Sequence, residues 1–245
     1  YESSGGKTIP TGEPPADNRI IGMLGDSRAN NSGKNGISEN IGPLHWACMV
    51  SRQRLTFHSS YNFSTGGYTT QEIIDNHLDD ACACEAGSMY VLAGTNDRTT
   101  MTPLQTIANL SKIVDRLVAA GKDVYIESEL PRGDTTFTSY RLTAAQLDDH
   151  LQVHRWILSL NGKQRVYPID SYPVTAVSGS ATGDALLGIT IDGLHPNAKG
   201  AYLIGAKGIA AQIVAKYPDA PSVLPVAVDD PVSWINANPM LTGTG

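Results

Sequence analysis

Two rhythms of apolar residues divide this chain. Compact apolar runs at residues 19–24, 55–63, 88–93, 123–128 and 164–170 end at or just before glycine, serine or aspartate and read as strands. Longer stretches between them carry helical spacing. Leu104, Ile107, Leu110, Ile113, Val114, Leu117 and Val118 mark a helix that starts at Thr102-Pro103 and runs through Ala120. Proline stands at its first position and Gly121 at its stop. Residues 143–160 form a helix capped by Thr143 and ended by Asn161-Gly162. A short helix over 70–80 takes Thr69 or Thr70 as its N-cap, with Glu72 in the first turn. Another helix falls within 37–52. Asn197 caps a closing helix through Tyr217, whose Gly200, Gly205 and Gly208 form a small-residue stripe suited to lying close to the sheet.

Strand and helix alternate from end to end. That order predicts an α/β fold: a three-layer α/β/α sandwich with a central parallel sheet of about five strands and right-handed crossovers. Pro168, near the end of the last run, suits an edge strand. Residues 19–217 form the domain. Residues 1–18 read as a surface leader or linker, and residues 218–245, with several prolines, as a tail or linker to a further module. Residues 171–191 read as a loop long enough to suggest a functional role.

Charge and cysteine content remove several classes of function. A net charge of −6 without a Lys/Arg cluster gives nucleic-acid binding little support. No apolar run approaches the roughly 20 residues of a membrane span. Cys48, Cys82 and Cys84 make no disulfide framework and lack the spacing of a zinc knuckle or redox pair. They read as free thiols, with one bridge from Cys48 to Cys82 or Cys84 as the alternative.

The chemistry gathers in four short stretches. Gly25-Asp26-Ser27 ends the first strand. Gly66-Gly67 follows the second. Gly94-Thr95-Asn96-Asp97 follows the third, and Asp192-Gly193-Leu194-His195 precedes the closing helix. Strand ends of a parallel sheet share one edge, so these distant pieces can meet. A serine is inert until a base takes its proton. His195, with Asp192 three residues before it, has the spacing for a base whose tautomer is held by a carboxylate. The side chain of Asn96 and the backbone N–H of Gly67 are candidate donors to a developing oxyanion. Alone, each stretch also reads blandly, as a solvated loop pair, a self-capping Asn-Asp turn or a plain Gly-Gly turn.

Together and in this order, the four stretches resemble the SGNH/GDSL hydrolases, over roughly residues 19–217. The resemblance implies a flavodoxin-like fold and a serine esterase without metal or cofactor. It implies Ser27 as nucleophile, His195 as base, Asp192 as its orienting acid, and an oxyanion hole formed by the backbone of Ser27, Gly67 (or Gly66) and the side chain of Asn96. Arg28 and Arg98 follow two of the stretches. They either line the crevice and touch substrate or balance Asp26 and Asp97. His150 and His154 have zinc-ligand spacing but lack the glutamate of His-Glu-x-x-His and read as a solvated helix face. Asp79-Asp80 reads as a helix end, and Trp46, Trp156 and Trp234 as core or interface residues. Polar crevice loops, with Gly/Pro-rich ends, suit a module of an extracellular or virion-surface protein acting on an acetylated glycan. A short-chain lipid esterase or thioesterase, and a non-catalytic glycan-binding module, are the alternatives.

Overall fold

The computed structural model describes residues 18–30 and 42–219. Five strands form one parallel sheet: β1 (Ile20–Gly25), β2 (Thr56–Ser64), β3 (Ser88–Leu92), β4 (Asp123–Glu127) and β5 (Val166–Ile169), in the order β2-β1-β3-β4-β5. Every residue of β3 and β4 is buried, whereas the edge strand β2 is largely exposed. That contrast follows from helices covering both faces of the central strands. The expected α/β sandwich is what the chain adopts.

Alternate residues along the strands feed two cores. Leu24, Met89, Val91, Val124 and Ile126 pack under one helical layer, made of α3 (Thr70–Asn76), α4 (Leu78–Ala83), α5 (Pro103–Ala119) and α6 (Ala144–Ser159). Ile21, Met23, Tyr90, Leu92 and Tyr125 face the other layer. There α2 (Pro43–Val50) meets a closing helix composed of α8 (Ala198–Tyr202), a π-helical stretch (Leu203–Ile209) and α9 (Ala210–Lys216). A short α1 (Ser27–Asn30) follows β1, and α7 (Tyr172–Thr175) follows β5. No helix among the described residues is long and apolar enough to cross a membrane.

Several expectations change. The helix over 70–80 breaks at His77, whose Nε2 lies 2.8 Å from Thr65 Oγ1 and whose ring stacks on Tyr68 at 5.4 Å. The loop 171–191 is not structureless: it holds α7 and an antiparallel bridge from Ala176 to Ala185. The glycine stripe of the closing helix reaches the sheet only at Gly208, beside the end of β5, and otherwise meets a loop and α2. Gly200 packs on the Ile189 carbonyl, Gly205 on Pro43 and Trp46, and Gly208 on Ser171 and Ile169. Cys48 belongs to one core and Cys82 to the other, with the sheet between them. All three cysteines are free, so the bridge is ruled out for Cys82 and unformed for Cys84. Most of residues 1–18 and 218–245, the loop after Asn30, and Trp234 lie outside the described residues.

Candidate active site

Ser27 stands where β1 ends and α1 begins. The turn needs a glycine before it. A Cβ on Gly25 would sit 2.1 Å from the Leu92 carbonyl oxygen and 2.8 Å from Ala29 Cβ. Asp26 N–H donates to that Leu92 oxygen at 3.1 Å, and the buried Asp26 carboxylate accepts Arg28 N–H at 2.8 Å. Burial pushes the Asp26 carboxyl above its ordinary range, against the pull of the Arg28 charge. Ser27 is thereby set on a rigid corner with its hydroxyl pointing out of the sheet edge toward His195.

His195 arrives from 168 residues further along the chain, with Nε2 2.9 Å from Ser27 Oγ. Its Nδ1 lies 2.7 Å from Asp192 Oδ2. The other Asp192 oxygen, Oδ1, accepts the N–H groups of Leu194 at 2.9 Å and His195 at 2.8 Å. Burial works against the Asp192 charge, but these three hydrogen bonds prevail and hold its carboxyl below the ordinary range. The loop owes its shape to Gly193 (φ +90°), where a Cβ would strike Phe137 Cβ at 2.7 Å. A bridge from Thr190 to Pro196 closes it, and the Asn197 side chain caps the helix that follows while donating back to Gly188 and Thr190.

The other two stretches border the same corner. Thr65 N–H donates to the Gly25 carbonyl at 3.1 Å, bringing the turn after β2 beside Ser27. A Cβ on Gly66 would lie 3.6 Å from Ser27 Cβ, and Gly67 takes φ +83° one residue on. Asn96 lies in a 3₁₀ turn (Thr95–Thr99) after β3, and its Nδ2 donates to the Tyr68 carbonyl at 2.9 Å. That bond uses one of the two amide hydrogens and leaves the second for a ligand. Asp97 is buried and anchors the turn by accepting from Thr70 N–H at 2.8 Å and Thr70 Oγ1 at 2.5 Å. The structure thus brings Ser27, Gly67, Asn96, Asp192 and His195 to one rim of the sheet. A hydroxyl beside an imidazole oriented by a carboxylate has the parts of an activated nucleophile.

Arg28 and Arg98 do not line the crevice. Both side chains are buried, at 0% and 3% exposure, and both point inward to Glu129. Arg28 Nε also lies 4.0 Å from Asp26 Oδ1, so Arg28 balances Asp26 as the second alternative expects, and both charges are held behind the site. The helix face carrying His150 and His154 is likewise not solvated. His150 is fully buried with Nδ1 3.7 Å from Glu129 Oε2, and His154 lies 3.8 Å from Asp170. Burial pushes the His150 imidazole down to about 3, so it is neutral at physiological pH. No three potential metal ligands cluster among the described residues. Glu129 sits in no motif of its own; the two arginines just after two of the four stretches are the sign in the sequence that a shared counter-charge is needed.

The family model for GDSL-like lipases/acylhydrolases matches residues 23–203. Several solved structures share the fold. A GDSL-like lipase from Bacteroides thetaiotaomicron superposes with a TM-score of 0.61 at 15% identity, over 84% of this chain and 92% of that one. A carbohydrate esterase family 3 protein from Talaromyces cellulolyticus does so with a TM-score of 0.56 at 16% identity, over 82% and 98%. For a lipase/acylhydrolase from Enterococcus faecalis the TM-score is 0.54 at 18% identity, over 81% and 94%. No curated protein matches in sequence. With the family model spanning four of the five strands and all four of the stretches around Ser27 and His195, the chain belongs to the GDSL-like lipase/acylhydrolase family.

Proposed function

We propose that the chain is a serine ester hydrolase that removes O-acetyl groups from a carbohydrate. The observation that carries this reading is the unbroken hydrogen-bond path from Asp192 through His195 to Ser27, 2.7 Å and then 2.9 Å. Ser27 Oγ attacks the acetyl carbonyl while His195 Nε2 takes its proton. The Ser27 and Gly67 backbone N–H groups and the free Asn96 amide hydrogen hold the oxyanion. Such a donor is worth about 10²–10³ in turnover. The intermediate collapses, the sugar hydroxyl leaves with the proton from His195, and acetyl-Ser27 remains. Water then attacks the acyl-enzyme by the same route in reverse, releasing acetate and restoring Ser27.

Two features support a sugar ester. The exposed run from Thr135 to Ser139, rich in hydroxyls and holding one aromatic ring, adjoins the Asp192 loop through the Gly133–Gly193 hydrogen bond. One fold neighbour is a carbohydrate esterase. A second reading, a lipid esterase or thioesterase, draws on the exposed Leu187 and Ile191 in the segment leading to Asp192. Acetate release from a panel of acetylated polysaccharides, set beside hydrolysis of aryl acetate, octanoate and decanoate esters, separates the two. The carbohydrate reading expects acetate preference and polysaccharide turnover. Preference for the long chains favours the lipid reading. In either case Ser27→Ala should abolish turnover while leaving the melting temperature in place, and full activity in that variant would end the proposal.

A further inference from the structure

One carboxylate, shielded from solvent, is reached from both halves of this site. Glu129 lies two residues past β4 and is fully shielded from solvent. Its Oε2 accepts from Arg28 Nη2 at 3.4 Å, and its Oε1 accepts from Arg98 Nη2. Arg28 is the residue after Ser27, and Arg98 stands two residues after Asn96. Neither guanidinium has a second hydrogen-bond acceptor among the described residues. The carboxylate is also wedged against the turn that carries Asn96: a Cβ on Gly94 would lie 2.7 Å from Oε1. Arg132 completes the cluster by donating to the Thr95 carbonyl at 2.7 Å. Burial alone would push the Glu129 carboxyl up. Arg98, with Arg28 and Arg132 beside it, instead holds it below its ordinary range, so it stays charged.

Sealing such a cluster away from water is a poor route to stability, because desolvation offsets most of the attraction. Its geometry is more telling, since one side chain bridges the element after the nucleophile and the element around Asn96. We propose that Glu129 is a positioning residue: by joining Arg28 to Arg98 it sets the separation between Ser27 and the Asn96 amide, and so the fit of the pocket to the tetrahedral oxyanion. This rests on the roles given to Ser27 and Asn96 above.

Glu129→Gln keeps the size of the side chain but offers one acceptor oxygen, which serves one arginine and not both. Steady-state hydrolysis of an aryl acetate by the full chain is the test. A misplaced donor should lower kcat about 10–100-fold with KM within about twofold. The decisive readout is a double-mutant cycle with Asn96→Ala. If Glu129 acts through Asn96, Glu129→Gln should cost less than about threefold in the Asn96→Ala background, whereas a merely structural effect multiplies in full. Equal losses in both backgrounds, or a Glu129→Gln kcat within about threefold of the unsubstituted chain, overturn the proposal. If Glu129→Gln does not yield folded protein, Arg98→Lys enters the same cycle under the same criteria. Ser27→Ala separates the two claims. An active Ser27→Ala protein defeats the reading of the site, while an inactive one beside a silent Glu129→Gln defeats only the bridge.

Discussion

Asp192 divides its work between its two oxygens. Oδ1 shapes the loop by accepting two backbone N–H groups, and Oδ2 holds the imidazole. Asp192→Asn separates these tasks. The amide oxygen can still accept the N–H groups, but the amide nitrogen then faces His195 Nδ1 with a donor. The ring answers by carrying its proton on Nε2, where it can no longer accept from Ser27. We expect kcat on an aryl acetate to fall about 10³–10⁴-fold with the fold intact; a variant within tenfold of the parent would show that the carboxylate does not set the tautomer. Residues of this kind were legible in the sequence because each sits in a short motif with a local signature. Arg28, Arg98 and His150 were not, since the glutamate they share is reached from three separate elements. The chain order shows the charges but not that they share one interior point.

Helix starts were the most readable elements. Three threonines, Thr69, Thr102 and Thr143, close capping boxes with Glu72, Gln105 and Gln146. In each, the threonine side chain accepts an N–H of the first turn while the Glu or Gln side chain returns to the threonine N–H. Thr102→Ala removes the box from α5, the longest helix among the described residues. It should lower unfolding free energy by about 1 kcal/mol without changing kcat/KM, read from urea denaturation and esterase assays. A loss of activity at unchanged stability would show that α5 is coupled to the site through more than its cap. The break at His77 and the π-helical stretch at Leu203–Ile209 were not legible. One depends on a side chain caught by the preceding loop, the other on how closely Gly205 and Gly208 let the closing helix approach α2 and the end of β5.

At the scale of the whole molecule, alternating strand and helix patterns were enough to indicate a parallel sheet with two covered faces. Which helix covers which face was not, because both layers present the same apolar periodicity, and the separation of Cys48 from Cys82 follows only from that assignment. The sandwich also buries Glu127 on the face it shares with Tyr90. Burial pushes its carboxyl from 4.5 up to about 8, despite hydrogen bonds from Ser171 and Tyr90. The folded chain therefore keeps a proton that the unfolded chain gives up. This contribution to stability is whole below pH 4.5 and is lost as pH rises through about 8. Glu127→Gln mimics the protonated acid. Its melting temperature should gain on the parent between pH 5 and pH 8, by an amount corresponding to at most a few kcal/mol. A gap that is constant over that interval would mean that Glu127 holds no extra proton in the fold.

The hairpin-like turn from Thr190 to Pro196 carries acid and imidazole as a single cassette, stitched internally by its own backbone. Its direct side-chain link to the nucleophile is one hydrogen bond to the Ser27 hydroxyl. Displacement of the cassette therefore leaves the acid–base couple assembled and disconnects it from the serine in one step. Inactivation by loosening of this segment should look like a switch between full competence and none.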